Sequence, residues 1–506
     1  MKKFLATICA AALLMTGCGG EEKNSNNEKT FTYGTVAYGV AMENVGTNPH
    51  ESYSGWSALR YGIGETLFKF NEHMQLEPWL AESFEQVDDF TVRIKINDAA
   101  KFSNGKKADG AAVKKCLEAL IKNHDRAPRD LKISSIEADG QFVTIKSSEK
   151  VPALLNYLSD PYGCIIDIDS GVKDKIVVGT GPYKAVKVTD TQIDLVANEN
   201  YWGEVKPKMD KIIVKSIPDG DTLTMAMQNG ELDAAQGLPY SSLQLFKDGY
   251  KISQADTSRV YQIAFNFKTP ELQDINVRRA VSMAIDKENF CKVLLSGNGT
   301  PASGPFPANL GGDKVHAAPY DLDGAKKLLV DSGWNDSDGD GYVDKDGKNL
   351  ELNYLTYTSR QELPLLAEAA QANLKLIGVK LNVNATDNYK TFLKSGDYDI
   401  FSKAIVTAPT GDGEYYFTSH IVPGAVDNAG FYDSVTIAAL EDELHNTFGA
   451  DKRSELAIKM SQQVLDDCAL IYASHLRMSF VMKPQVEGFK AHPSDYYEIT
   501  AELDKK

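Results

Sequence analysis

The residues best suited to chemistry lie in one short run, Asp336-Ser337-Asp338-Gly339-Asp340-Gly341-Tyr342-Val343-Asp344. Carboxylates at loop positions 1, 3, 5 and 9, with glycine at 6, are what a chain needs to fold hard oxygens around a calcium ion. Position 12 is Gly347, where a complete loop of that kind carries a bidentate glutamate, so the competing reading is a polar turn rich in Asp and Gly. Asp336, Asp338, Asp340 and Asp344 are therefore candidate calcium ligands in a structural role. Catalytic vocabulary is missing elsewhere. The sequence has no nucleophile elbow, no glycine-rich loop ending in Lys-Ser/Thr, no HExxH and no CxxC pair, so the expectation is a protein that is not an enzyme.

With 506 residues, 42% of them hydrophobic and 25% charged, the chain is long enough for two or three packed units. A formal charge of −16 argues against nucleic acid, whose binders need a basic face to displace counterions. Lys2 and Lys3, an apolar run from Phe4 to Met15 too short to span a bilayer, and Met15-Thr16-Gly17-Cys18 have the anatomy of an export leader ending at a cysteine. Residues 19–30 carry no large apolar side chain that could pack and read as a flexible tether. Cys116, Cys164, Cys291 and Cys468 are far apart in the chain and are expected to be buried free thiols, with one or two bridges as the alternative.

The elements that position these residues alternate between strand and helix. Thr91 to Ile96 places Val92, Ile94 and Ile96 on one face, a half-buried strand, and Ala108 to Ile121 follows as a helix. Trp56 to Phe70 reads as a helix or helix pair broken by Gly62 and Gly64. Gly179-Thr180-Gly181-Pro182-Tyr183 is a rigid turn, with the two glycines expected to supply positive φ, and an alternating strand runs on from it. Asn200-Tyr201-Trp202-Gly203 closes that strand, and a helix over Thr222 to Gln228 stops at Asn229-Gly230. Ile263 to Phe267 is a strand, and Asn276 is the expected N-cap of a helix whose stripe is Val277, Ala280, Val281, Ala284 and Ile285. Helices are also expected over Asp323 to Leu329 and Pro364 to Leu376, the latter followed by an alternating strand.

GTGPY, NENYWG and GELDAA, in that order and spacing, resemble the core signature of the extracytoplasmic solute-binding proteins of the peptide and nickel ABC-importer family. EPWLAESF, KFSNG and the helix VRRAVSMAIDK extend the resemblance over nearly the whole chain beyond the leader. The resemblance implies an α/β, two-lobed, periplasmic-binding-protein-like fold of type II with an extra section inserted in the first lobe. The expected division is a lipoprotein signal peptide at 1–17, a tether at 18–30, first-lobe segments at 31–66 and 184–264, the insertion at 67–183, the second lobe at 265–482 and a first-lobe return at 483–506. Lobe crossings are expected near Ala264 and Lys483. Cys18 would be lipidated, which tethers a monomeric extracytoplasmic body to the membrane, where it meets an ABC permease and ATPase.

In such a fold the ligand lies between the lobes. The resemblance places Asn48 to Trp56, Asn123 to Arg129 and Thr407 to Tyr432 at the cleft. It makes Arg126 the anchor for a ligand carboxylate, since a guanidinium fork makes two charge-assisted hydrogen bonds. Tyr53, Trp56, Tyr415, Tyr416 and Phe417 would wall the pocket. His420 and His50 are the candidate nickel ligands. The ligand implied is nickel held by a small organic chelator. The alternative is a di- or oligopeptide whose amino terminus meets Asp412 or Asp427. A secreted hydrolase or a structural lipoprotein is the reading from another class.

Overall fold

The structure, a computed structural model, describes residues 28–36, 46–51 and 54–506. The leader, Cys18, most of the tether and Tyr53 lie outside the described residues. No helix among the described residues is long and apolar enough to cross a membrane.

One mixed sheet runs through the molecule. From one edge its strands are Lys380–Ala385, Glu351–Thr356, Ile400–Val406, Lys251–Phe265, Leu470–Met482, Ala234–Gln236, Thr30–Thr35, Lys211–Ser216, Gln192–Ala197 and Tyr183–Val188. Two long antiparallel strands, Lys251–Phe265 and Leu470–Met482, form its middle. Lys251 to Asp256 pairs with Arg477 to Met482, whose last residues also pair with Ala234–Gln236. Val260 to Phe265 pairs instead with Ile400–Val406 on one side and with Leu470 to His475 on the other. The register shifts between Asp256 and Val260. Such an irregularity bends a strand and sharpens its twist, so the sheet changes direction there and divides the molecule into two lobes. Ala264 lies near the end of the first of these two long strands and Lys483 just past the end of the second. Alternation read as a short strand at Ile263 was the tail of a fifteen-residue one, and its polar first half concealed the rest.

Second-lobe residues on the long strand alternate between two cores. Tyr261, Ile263 and Phe265 pack with Leu352, Leu366 and Ala370 on one face, while Val260 and Ala264 pack with Tyr416, Phe417 and Met460 on the other. Helices thus cover both faces of the sheet, and its strands are buried twice over. The first lobe has its own core, which includes Phe31, Tyr33, Phe68, Ile94, Ile145, Tyr183 and Phe480. A four-stranded antiparallel sheet of Ala81–Asp88, Thr91–Ile96, Phe142–Ser147 and Ile133–Asp139 joins that core, with Val92, Ile94 and Ile96 inward as their alternation requires. Helix Gly110–Asn123 packs on it, capped by the Asp109 carboxylate.

Several local expectations change. Only Ser54–Arg60 is helical in the Trp56 to Phe70 region. Gly62 takes φ +65 just beyond it, and Phe68–Phe70 is a strand. Gly179 and Gly181 do not supply positive φ. They are glycines because a Cβ would stand 2.1 Å from the Ile63 carbonyl at one and 2.2 Å from the Gly62 carbonyl at the other. The N-cap of the helix Ile275–Ala284 is Asp274, whose carboxylate accepts from the Asn276 amide at 2.8 Å. Asn276 is therefore the residue capped and not the cap. All four described cysteines are free and buried.

The NENYWG corner has a chemical purpose. Tyr201 Oη and Trp202 Nε1 donate to the two carboxylate oxygens of Glu65, at 2.8 and 2.7 Å, and Asn198 Nδ2 donates to the Gly181 carbonyl at 2.7 Å. Burial lifts the Glu65 pKa from 4.5 to about 7, against the pull of the Trp202, Tyr201 and Thr180 hydrogen bonds. A value raised by folding means stability that is complete below pH 4.5 and lost as pH rises toward 7. Wild-type protein is thus expected to lose about 3 kcal/mol across that window through this one group. The change Glu65→Gln should flatten it, read as the difference in urea midpoint between pH 5 and pH 8.

Candidate functional site

The lobes face each other at the carboxyl ends of the parallel strands Glu351–Thr356 and Ile400–Val406, where open α/β sheets place their ligands. Arg259 sits opposite Val406 at the bend of the long strand, and Arg360 follows Thr356 in the loop at the same end. Neither guanidinium forms an ion pair with a described residue, although each stands close enough to the other to be felt. The Arg259 pKa is pulled down, first by burial and then by the like charge of Arg360, with Asp495 acting the other way. Tyr261 and Tyr357 stand beside them. Two cations in one half-buried place, with Asp495 felt at a distance but not paired to either, form a binding field for an anion.

Across from them lies the floor of the first lobe. Arg60 is buried, donates from Nε to the Asp495 carbonyl at 2.7 Å, and pairs through Nη2 with the Asp495 carboxylate. Its Nε also stands 3.6 Å from Glu498, which accepts from Tyr33 Oη at 2.9 Å. Asp495 Oδ1 is buried without a hydrogen-bond partner, and its backbone has φ +64. Burial raises the Asp495 pKa, against the pull of Arg60, Arg259 and Arg360. Trp56 lies under the Arg60 guanidinium at 4.4 Å and edge-on to Tyr496 at 5.7 Å, half-buried. Tyr496 Oη donates to the Pro409 carbonyl at 2.7 Å and Asn156 Nδ2 to the Thr410 carbonyl at 2.9 Å, so the lobes touch along one side of the cleft.

The residues expected at the site are dispersed by comparison. Arg126 is already engaged. Its Nη2 is 2.5 Å from Asp160 Oδ2 and its Nε 3.8 Å from Asp130, so the chain itself supplies the carboxylate a ligand was to bring. Asp412 is engaged too, accepting from Arg453 Nε at 2.6 Å and Nη2 at 2.8 Å. Tyr416 and Phe417 are core residues rather than pocket walls: both are fully buried, and Tyr416 Oη bonds Gln262 and Tyr472. Tyr415 is half-buried and edge-on to His420 at 6.2 Å. Asp427 is exposed, with a carboxylate oxygen 4.0 Å from His420 Nδ1.

Neither expected nickel-binding histidine is presented for metal. His50 is buried in the first lobe with Nε2 3.7 Å from the Cys116 thiol, and its pKa falls to about 4 through burial and then the charge of His124. His420 is buried with Nδ1 2.9 Å from Lys403 Nζ, and its pKa falls to about 3 through burial and then the Lys403 charge. Lys403 donating to Nδ1 leaves the proton on Nε2, so neither ring nitrogen has a free lone pair. The cavity that His420 and Lys403 line is about 10 Å³, at the lower limit for a single water. No chelate fits there.

The aspartate loop does not assemble as a calcium site either. Ligand atoms of Asp336, Asp338 and Asp340 come within 4.8 Å of one another, but all three residues are exposed and their oxygens accept loop amides from Gly339, Gly341, Asp340 and Tyr342. Asp344 turns away to accept from the Ser337 amide and hydroxyl at 2.8 Å, because its carboxylate is needed to close the hairpin.

A two-lobed body whose cleft combines a pair of arginines with aromatic walls is suited to enclosing a small solute. Residues 75–424 match the model of the bacterial extracellular solute-binding proteins, family 5 Middle, and the chain belongs to that family, the solute-binding components of ABC importers. It is 26% identical over 514 aligned positions to the nickel-binding protein NikA of Staphylococcus aureus, covering 98% of both chains, and 24% identical to the oligopeptide-binding protein AppA of Bacillus subtilis, covering 98% of this chain and 97% of that one. The crystal structure of a nickel ABC transporter protein from Bacillus halodurans superposes with a TM-score of 0.83 at 28% identity, covering 94% of this chain and all of the other. NikA from Staphylococcus aureus in complex with Ni(L-His)2 superposes with a TM-score of 0.73 at 25% identity, with the same coverage.

Proposed function

We propose that this protein captures nickel already wrapped in a small carboxylate-bearing chelator, closes its lobes on the complex and delivers it to a membrane permease. The observation that supports the reading is the Arg259 and Arg360 pair, which makes no ion pair within 4.0 Å among the described residues and feels Asp495 only at longer range. The two histidines expected to ligate nickel are occupied or enclosed, so the metal would arrive with its coordination shell complete. The protein's part is to neutralise the outer carboxylates. Similarity to nickel-binding proteins, one of them solved with Ni(L-His)2, supports that cargo. Closure would bring the Asp495 floor toward the arginine pair, a hinge movement about the Asp256 to Val260 irregularity in which the guest is held from both sides. Anchoring through Cys18 and a tether over residues 18–30 completes the reading.

A second reading has its own observation. The unpartnered Asp495 Oδ1 would take an ammonium group, and with the arginines it matches the two ends of a peptide. Melting curves of the purified protein separate the two, since a ligand that binds only the folded form raises Tm by mass action. Nickel with L-histidine should raise Tm by more than the effects of nickel alone and histidine alone combined. A rise with peptide mixtures and none with the nickel complex would replace the first reading with the second.

A further inference from the structure

Away from the cleft arginines, three side chains converge that neither the family nor the proposed cargo explains. Glu441 and His445 lie four residues apart on one face of the helix Val435–His445, and Glu414 opens the neighbouring helix Glu414–His420. One ligand atom from each lies within 4.8 Å of the other two. His445 Nδ1 stands 2.7 Å from Glu414 Oε1. We propose that Glu414, Glu441 and His445 form a binding site for a divalent cation of the zinc class, separate from the solute cleft.

The chemistry is that of one imidazole and two carboxylates, a donor set that suits zinc and leaves a fourth position for water. Charge favours it. Asp412 and Glu414 share one guanidinium, Arg453, which spends two contacts on Asp412 and one on Glu414, and Glu441 adds a third carboxylate beside Glu414. Glu441 is half-buried and has no hydrogen bond or ion pair with any described residue. Glu441 and Glu414 bring two carboxylates within 4.8 Å of one another, so an added cation would relieve a like-charge contact. Geometry asks for little. Ligand atoms in a tetrahedral shell of radius about 2.05 Å lie about 3.3 Å apart. The half-exposed imidazole would rotate slightly off Glu414 to admit the ion between them. Glu414 is the fixed ligand, held from behind by Arg453 Nη2 at 2.5 Å.

The test is titration of the EDTA-treated full-length protein with zinc chloride in the absence of any chelator, followed by calorimetry. One equivalent should bind. His445→Ala and Glu441→Gln should each weaken that binding by at least about tenfold, while His316→Ala, at an exposed histidine elsewhere, leaves it unchanged. Cobalt(II) in place of zinc should give a visible absorption band that His445→Ala removes. Both substitutions fall at half-buried positions of one helix, and an unchanged melting curve in EDTA shows that the variants are folded. No uptake of zinc by the wild type, or equal uptake by wild type and His445→Ala, overturns the site. Neither outcome bears on the cleft, whose reading is tested by the nickel complex.

Discussion

Replacing Arg360 with methionine is expected to weaken solute binding by roughly ten- to a hundredfold, about 1.5 to 3 kcal/mol, the range for a hydrogen bond to a charged group in a shielded place. Arg259→Met should do the same, and the double substitution should leave no measurable affinity for the nickel and histidine complex by calorimetry. The sign of the accompanying stability change identifies the cause. In the free protein the Arg259 pKa is depressed first by burial and then by the like charge of Arg360, so the two guanidiniums repel each other. Removing either should therefore leave the ligand-free melting temperature unchanged or raise it. Affinity falling while stability does not is the signature of a binding residue, because an arginine that held the fold together would lose both. Arg126→Ala should show the opposite division. It strips Asp160 of its partner in a buried setting, so stability falls while affinity changes less. Equal affinity of the Arg360→Met variant and the wild type would remove the arginine pair from the site and with it the main support for an anionic guest.

The largest loss of stability is expected from Arg453→Met. Its side chain is 5% exposed, makes both contacts to Asp412, one to Glu414, and donates through Nη1 to the Leu444 and Thr447 carbonyls at 2.8 and 3.1 Å. A methionine fills much of the volume but leaves two carboxylates and two carbonyls facing it. Breaking one side of a buried ion pair in this manner costs about 3 to 5 kcal/mol, a large share of a domain's total. Chemical unfolding should show the loss chiefly in the transition of the second lobe, where all of these contacts lie. Asp412→Asn, which keeps the shape and one acceptor, should cost distinctly less. A loss of under 1 kcal/mol in Arg453→Met would mean that the network is solvated and contributes little.

Much of the architecture was legible because it follows from local pattern. Alternation at Val92, Ile94 and Ile96 and the helical stripe from Val277 to Ile285 both describe faces that are buried. The GTGPY and NENYWG runs marked the place where first-lobe segments meet, although the glycines serve close approach to Gly62 and Ile63 and not a turn of the other hand. What pattern could not deliver was pairing across long separations. Asp412 reads as a free acid until Arg453, 41 residues on, is seen to occupy it, and Arg126 reads as a free base until Asp160 does the same. Tyr416 and Phe417 are adjacent aromatics on a short helix wedged between layers, so both are buried where a surface helix would bury one. The cleft arginines carry no motif at all. A sequence signal existed for Arg360 only in its position, a cation in the loop after a strand that begins at Glu351, and reading it required knowing that this strand is parallel to its neighbours.

The sheet's wiring bears on how the molecule is made. Tyr33 bonds Glu498 across 465 positions of chain, Lys29 pairs with Asp504 across 475, and the strand Ala234–Gln236 waits for Phe480 to Met482. Contacts of such range form late. As the polypeptide emerges from the ribosome, its leading half lacks the partners that would lock it, and only the closing stretch of translation provides them. A polypeptide whose opening lobe is unfinished until its last residues are made stays extended longer than one that folds as it emerges.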